Sequence, residues 1–184
     1  MGKKITIDCA TMVNKCFEVI EACYLFNYPV NKVDIVLHQE SHVHSMVKYL
    51  DGTYRADLSK PDMRNPIKYA LYEKMIDFKT YVASDYHNFG NYHFKDFDIN
   101  RYPVLKWARY VMKHKATYGA VLNASNEEAV HSYLRDEIPF LMIEEIIEKC
   151  MMEHHPIQNP TIEDIIEIDR KTRQKVREMI KNRR

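Results

Sequence analysis

The sequence predicts an α+β fold: a small mixed sheet with flanking helices, followed by a long connector and a C-terminal helical bundle. Short apolar and β-branched runs occur early in the chain, and two of them flank Asp51-Gly52, a dipeptide that favours a two-residue hairpin turn. Regular apolar spacing then fades, and where it returns it is helical only. We therefore expect an α/β region over residues 1–72 that carries the candidate site, a connector over 73–103 and a bundle over 104–184.

Apolar spacing and turn residues define the elements of the first region in order. Ile5–Asp8 is predicted to be a short strand, and helical spacing after it predicts a helix over Ala10–Phe26. The next run, Val33–His38, is β-branched and typical of a buried strand. The other predicted elements of this region are the paired strands His44–Leu50 and Thr53–Leu58, a turn at 60–62 and a helix from Pro66 through Tyr72.

The connector is rich in aromatic residues, which argues against disorder and favours an ordered crossing of the protein surface. Four helices are predicted after it: Leu105–Lys113, Ser125–Leu134, about Phe140–Glu153, and Thr161 to the end of the chain. Ser125-x-x-Glu128 and Thr161-x-x-Asp164 both resemble capping boxes. An apolar stripe along the last helix predicts that it docks on the bundle.

Composition excludes several classes of function. Hydrophobic residues make up 46% and charged residues 29% of the 184-residue chain, and the net charge is +1, so neither nucleic acid nor a membrane surface is expected as the main partner. No apolar run reaches the roughly 20 residues of a membrane-spanning helix, and the N-terminus lacks the apolar core of a secretory signal. The chain is therefore expected to be cytoplasmic, or organellar if an address has been removed.

The four cysteines do not suggest a disulfide framework. Cys9, Cys16 and Cys23 recur every seven residues, which on a helix places successive thiols roughly 10 Å apart along one face. That distance is too large for a bridge or a shared metal ion. We expect these cysteines and Cys150 to be reduced, buried small side chains.

Asn14, Lys15 and Glu18 form the most informative polar set. A strand that leads into a helix offers backbone N–H groups and a positive dipole end to a phosphate, and Asn14 and Lys15 would add an amide and a cation. Glu18 lies one helical turn away and can serve either as a metal ligand or as a salt-bridge partner. From spacing alone, a surface ion pair between Lys15 and Glu18 is favoured over a phosphate and metal site.

Two further clusters of polar residues could carry a function. His38, His42 and His44 would share one face of a continuous strand, but the outer pair would lie roughly 20 Å apart, too far for one zinc ion. Contact of one histidine with a polar substrate pocket or a dimer interface is favoured instead. The tail 170–184 carries eight Lys and Arg residues, yet its apolar stripe favours a docked helix over nucleic-acid binding. The four glycines form no G-x-G-x-x-G loop for a dinucleotide.

Several separated motifs of the chain match the pattern of one protein family. The first spans Ile5–Ala22 and is similar to the pattern D-S-A-T-M-M-N-K-x-x-E-x-I-E-A. The others follow in the same order as in that family: His38–Val47 against H-P-Q-S-x-x-H-S-M-V, the Asp51-Gly52 hairpin, Pro61–Ile67 against P-D-M-R-x-P-I, and Val121–Glu127 against V-L-N-A-A-N-E. Because separated motifs occur in the right order, the chain specifically resembles the 1-deoxy-D-xylulose 5-phosphate reductoisomerase family.

The resemblance implies a function and roles for single residues. Enzymes of this family use NADPH and a divalent metal, Mn²⁺ or Mg²⁺, to convert deoxyxylulose phosphate to methylerythritol phosphate in isoprenoid synthesis. It implies that Asn14 and Lys15 contact the sugar phosphate, with Cys9 where the family has a phosphate-binding serine. It further implies that Glu18 is one of three carboxylate metal ligands, and that Lys15 and His44 belong to the catalytic set.

The sequence departs from the family pattern in three ways. A thiol at Cys9 is a weaker donor to phosphate than a hydroxyl. Gln39 and Glu40 replace the family's proline and glutamine. Roughly the first half of the family's chain has no counterpart, so the NADPH-binding fold, the other two carboxylate ligands and most of the mobile loop are expected to lie elsewhere, and one carboxylate alone does not hold Mg²⁺ or Mn²⁺ usefully.

Three hypotheses follow. In the first, the chain is the C-terminal part of a reductoisomerase, either an incomplete product or one half of a split enzyme that a separate N-terminal, NADPH-binding half completes. It is then expected to be inactive alone, and to form a homodimer or a complex with that half. Alternatively, it is a non-catalytic module that dimerises with or regulates an intact reductoisomerase. In the third hypothesis it keeps only a helical scaffold for an unrelated ligand. Retention of Asn14, Lys15, Glu18 and His44 favours the first hypothesis over the third.

Overall fold

The computed structural model describes residues 2–59, 61–72 and 90–182. Seven α-helices and four short strands occur in these ranges. In chain order they are α1 (Lys3–Ala10), α2 (Val13–Leu25), a 3-10 turn (Val30–Lys32), β1 (Val36–His38), β2 (Val43–Lys48), β3 (Tyr54–Leu58), α3 (Arg64–Tyr72), β4 (Phe94–Asp96), α4 (Val104–His114), α5 (Tyr118–Leu134), α6 (Met142–Met152) and α7 (Ile162–Lys181). The predicted α+β class is confirmed.

The chain folds into two compact units. One comprises Met1–Ile35 with Asp98–Arg184 and contains six of the helices, whereas the other comprises Val36–Phe97 and contains the strands and α3. The predicted division at residues 72 and 103 stays a prediction. In the helical unit, α1 packs against α5 and α2 packs against α4, so both contacts join helices that are distant in the sequence.

Helix α5 forms the centre of the helical unit. Ten of its 17 residues are buried, because α1, α6 and α7 all pack on it and leave little of its surface to water. Leu122, Ile143 and Val176 belong to the core that these helices share. α7 buries only the C-terminal part of its predicted stripe, since Ile162, Ile165 and Ile166 are exposed.

Among its described residues, the strand unit has two antiparallel pairs of strands, where the sequence predicts one small mixed sheet. β2 pairs with β3 from Val43↔Leu58 to Lys48↔Tyr54, which confirms the hairpin. Its turn is longer than the predicted two residues: Tyr49 N donates to Thr53 O at 2.9 Å, and Gly52 adopts φ +87°. The second pair joins β1 to β4, so part of the predicted connector is a strand, while its residues 73–89 lie outside the described ranges.

Two predictions at the N-terminus are wrong. Ile5–Asp8 is helical rather than a strand, because tertiary contacts of Asp8 outweigh the strand preference of Ile5 and Ile7. The predicted single helix over Ala10–Phe26 is also interrupted: α1 ends at Ala10, and α2 begins only at Val13.

Of the two predicted capping boxes, one forms and the other does not. Thr161 forms a capping box, because its hydroxyl accepts from Asp164 N at 3.1 Å and the Asp164 carboxylate accepts from Thr161 N at 2.9 Å. Ser125 does not cap a helix, since it lies within α5, which begins at Tyr118. Within the described residues, no helix is both long and apolar enough to cross a lipid bilayer.

Candidate functional site

The joint between α1 and α2 positions the candidate site. Thr11 is fully buried, and its hydroxyl donates to the Ile7 carbonyl at 3.1 Å. Met12 follows in the left-handed conformation, φ +62°, which a non-glycine residue adopts at a cost of roughly 1–2 kcal/mol. α2 then starts at Val13, so Asn14 and Lys15 stand in its first turn, near the positive end of the helix dipole.

The structure brings Asn14, Lys15 and Glu18 together on one face of α2. Asn14 Nδ2 donates to Glu18 Oε1 at 2.6 Å, and Lys15 Nζ lies 2.7 Å from Glu18 Oε2. The Lys15 and Glu18 side chains are 44% and 45% exposed, so the pair contributes only about 0–1 kcal/mol to stability. The ion pair expected from spacing is therefore present, and it leaves all three side chains accessible to a ligand.

Cys9 lies at the end of α1 and is exposed, whereas the other three cysteines are buried. The expectation of buried thiols therefore holds for Cys16, Cys23 and Cys150 and is wrong for Cys9. Burial raises the pKa of the Cys16 thiol to about 12 and that of Cys150 to about 11, which keeps both protonated. All four thiols are free.

Sequence reasoning missed one polar contact next to this joint. Asp8 is buried, and Asn126 Nδ2 of α5 donates to its Oδ1 at 2.9 Å. Lys4 Nζ lies 2.5 Å from its Oδ2. The sequence did mark Asn126, because it belongs to a motif that contributes to the family resemblance. That motif gave no indication that Asn126 contacts Asp8.

His44 lies on β2 of the strand unit, with its Nε2 at 3.1 Å from the Ser59 carbonyl. His38 belongs to a different arrangement: the His42 backbone N–H donates to His38 Nε2 at 3.3 Å, so the proton of a neutral His38 is on Nδ1, which lies 3.0 Å from Glu40 Oε2. Glu40 also binds His93, and this hydrogen bond lowers the pKa of the Glu40 carboxyl to about 2.

The residues present do not by themselves form a metal site. In the described ranges, no group of three or more His, Cys, Asp or Glu side chains is arranged to hold a metal ion, including the three histidines considered for zinc. Glu18 offers a single carboxylate whose two oxygens face Asn14 and Lys15. A divalent cation here would need ligands from residues beyond those described.

Among known proteins, this chain is similar to one group of enzymes. A family model described as the DXP reductoisomerase C-terminal domain matches residues 58–175, and one described as the 1-deoxy-D-xylulose 5-phosphate reductoisomerase C-terminal domain matches residues 1–26. The 1-deoxy-D-xylulose 5-phosphate reductoisomerase of Geobacillus kaustophilus is 47% identical over 181 residues, covering 98% of this chain and 47% of the relative.

Solved structures agree with this match. A reductoisomerase from Zymomonas mobilis in complex with NADPH superposes with a TM-score of 0.86 at 37% identity, covering 96% of this chain and 47% of that one. A DOX-P reductoisomerase in complex with NADPH, fosmidomycin and magnesium superposes with a TM-score of 0.87 at 34% identity, covering 98% and 47%. The chain spans about half the length of the relatives it matches.

Proposed function

The chain belongs to the 1-deoxy-D-xylulose 5-phosphate reductoisomerase family and corresponds to its C-terminal region, and from this premise we propose that it supplies the sugar-phosphate contacts of such an enzyme. Asn14 and Lys15 would bind the phosphorylated substrate, and the Cys9 thiol would face the phosphate. The observation that carries the proposal is the clustering of Asn14, Lys15 and Glu18 in the first turns of α2, all accessible to solvent.

Each residue has a role suited to its chemistry. The Lys15 ammonium would neutralise a phosphate or a developing alkoxide, and Asn14 would donate a directional hydrogen bond. Glu18 would give one carboxylate oxygen to a divalent cation, which when bound holds and polarises substrate oxygens. His44 is proposed to belong to the catalytic set, as the family resemblance implies. Both the NADPH contacts and the remaining metal ligands would come from the part of the family's length that this chain does not match.

This proposal predicts that residues 1–184 are inactive alone. The test is NADPH oxidation with 1-deoxy-D-xylulose 5-phosphate and Mg²⁺ or Mn²⁺, measured for the isolated chain and after mixing it with the N-terminal half of the Geobacillus kaustophilus relative. Turnover should occur only in the mixture. Turnover by the isolated chain, or none in a mixture shown to associate, would contradict the proposal.

Single substitutions test the residue roles in the reconstituted enzyme. Lys15→Met should raise KM for the sugar phosphate by roughly tenfold to a hundredfold, as expected for loss of a charge-assisted hydrogen bond. Glu18→Gln should raise the Mg²⁺ concentration needed for half-maximal activity. Glu21→Gln is the matched control, since Glu21 is exposed on the same helix. A Glu18→Gln enzyme with unchanged Mg²⁺ dependence would remove Glu18 from the metal site.

The chain is also proposed to self-associate or to bind an N-terminal half, rather than act as a regulator of an intact enzyme. The β2–β3 hairpin exposes several large apolar side chains, namely Val47, Tyr49, Leu50 and Tyr54. Sedimentation of the chain alone, with the N-terminal half and with an intact reductoisomerase separates these cases. A stable complex with the intact enzyme that brings no gain in activity would favour the regulatory role.

A further inference from the structure

A buried carboxylate–amide pair joins the N-terminal helix to the centre of the bundle. Asp8 and Asn126 are 2% and 0% exposed, and Asn126 Nδ2 donates to Asp8 Oδ1 at 2.9 Å across 118 residues of sequence. The other oxygen, Oδ2, lies 2.5 Å from Lys4 Nζ. Since a buried charge is costly unless it is paired and hydrogen-bonded, these two contacts together hold the Asp8 carboxylate at this depth.

The pair anchors α1 immediately before its joint with α2. Thr11, one turn after Asp8, is buried, and its Oγ1 accepts from Val13 N at 3.5 Å. Between them Met12 has φ +62°. A non-glycine residue keeps this unfavourable conformation only where surrounding contacts impose it. The contact of Asp8 with α5 is one such constraint, and the packing of α2 on α4 is another.

The joint determines how the candidate ligand groups face one another. Cys9 is on the α1 side, and Asn14 and Lys15 are on the α2 side. Their relative direction therefore depends on the angle between the two helices. Misplacement of such groups by about 1 Å can lower catalytic efficiency by roughly a hundredfold.

We propose that Asp8 and Asn126 are positioning residues of the candidate site. Through their hydrogen bond they hold α1 on α5. They thereby keep Cys9 oriented toward the same phosphorylated ligand as Asn14 and Lys15. The inference rests on the proposed function and goes beyond it, because neither side chain is assigned contact with the substrate, the metal or NADPH.

The test is an exchange of the two side chains in the reconstituted enzyme. Asn126→Asp sets two carboxylates against each other, and it should raise KM for the sugar phosphate by about tenfold while leaving KM for NADPH unchanged. The double variant Asp8→Asn/Asn126→Asp restores a carboxylate–amide pair and should return KM most of the way to the wild-type value.

Ser125→Ala is the matched control. Ser125 is adjacent to Asn126 and equally buried, but its hydroxyl donates within α5, to the Val121 carbonyl at 2.7 Å. Its KM for the sugar phosphate should equal that of the wild type. A wild-type KM in Asn126→Asp, or no recovery in the folded double variant, would overturn the proposal.

A graded pair covers the case in which Asn126→Asp does not fold. Asp8→Asn keeps an acceptor for Asn126, whereas Asp8→Ala removes it, so KM for the sugar phosphate should rise less in the first variant than in the second. Equal KM values in the two variants would overturn the proposal.

A second readout is independent of catalysis. Amide hydrogen exchange of residues 11–15 in the isolated chain should be faster in Asn126→Asp than in Ser125→Ala, and slow again in the double variant. Absence of turnover in the wild-type mixture would refute the proposed function. The hydrogen-exchange measurement would still test the positioning role, because it does not depend on activity. Equal exchange in Asn126→Asp and Ser125→Ala would refute the positioning role itself.

Discussion

Arg177 of α7 donates two parallel hydrogen bonds to Glu128 of α5, from Nε to Oε1 and from Nη2 to Oε2, both 2.9 Å long. The Glu128 side chain is 6% exposed, whereas that of Arg177 is 64% exposed. The pair is thus a fork-to-fork contact with a buried carboxylate and a solvated guanidinium. Glu127, the preceding residue, pairs with Arg173 at 2.6 Å, so two neighbouring carboxylates of α5 bind α7.

Loss of Arg177 should destabilise the helical unit because it leaves the Glu128 carboxylate without its main partner. Arg177→Ala is expected to lower the free energy of unfolding by about 1–2 kcal/mol. Urea unfolding at pH 7 measures this. Arg170→Ala is the matched control on the same helix, because Arg170 pairs only with the exposed Glu167 in the contacts described, and it should leave the midpoint unchanged. Equal midpoints for both variants would contradict the prediction.

Glu128 also predicts an acid dependence of stability. The hydrogen bond from Arg177 holds the pKa of the Glu128 carboxyl below its ordinary value of 4.5. The unfolded chain therefore binds this proton first as the pH falls, so stability that is present above pH 4.5 is lost as the pH drops through the lowered pKa. Glu128→Gln should flatten the unfolding free energy between pH 5 and 3, and a slope equal to that of the wild type would contradict this.

His154 predicts a second pH dependence, near neutrality. Burial, assisted by the charges of His155 and Lys175, lowers the pKa of His154 below 6.5, and its Nε2 lies 2.7 Å from Thr117 Oγ1. The unfolded chain takes up this proton at higher pH than the folded one does, so stability should decline as the pH falls below 6.5 and level off above it.

Thermal unfolding between pH 5 and 8 measures the His154 effect. His154→Gln should flatten the dependence in that range. A His154→Gln protein that loses stability on acidification as the wild type does would exclude this histidine as the cause.

Thiol labelling should distinguish Cys9 from the other cysteines. Cys9 is exposed, and the rest are buried, so the folded chain should react rapidly at one thiol of the four with an aromatic disulfide reagent, and at all four in denaturant. Cys9→Ser should abolish the rapid phase. Rapid labelling of the folded Cys9→Ser variant would show that another thiol is accessible.

We expect the Glu40 carboxylate to stabilise the pairing of β4 with β1. Its Oε2 accepts from His93 N at 3.2 Å at the start of β4 and lies 3.0 Å from His38 Nδ1 at the end of β1. Glu40→Gln removes the charge that both contacts share, so amide exchange in Phe94–Asp96 should become faster at pH 7. Glu163→Gln, on the first turn of α7, is the control. Unchanged exchange in Phe94–Asp96 would show that the strand pairing does not need the carboxylate.

Local chemistry determined several features of this protein from sequence alone. The cap at Thr161 needs only Asp164 three residues later, and the β2–β3 hairpin needs only the turn at Asp51-Gly52 between strand-forming runs. The contacts of Asn14 and Lys15 with Glu18 follow from helical spacing. The motifs that carry the family resemblance were also readable directly, because they are runs of adjacent residues.

Contacts between distant residues decided the rest. Ile5–Asp8 has β-branched residues and reads as a strand, yet it is helical because Asp8 pairs with Asn126, and no pattern in either segment shows that partner. The break at Met12 likewise needs neighbours that impose a left-handed residue. β4 pairs with β1 across more than fifty residues, so its partner was hidden from any local signal. Sequence alone thus predicted the residues of the candidate site, and only the tertiary structure decided which contacts surround them, because burial and long-range pairing override local propensity.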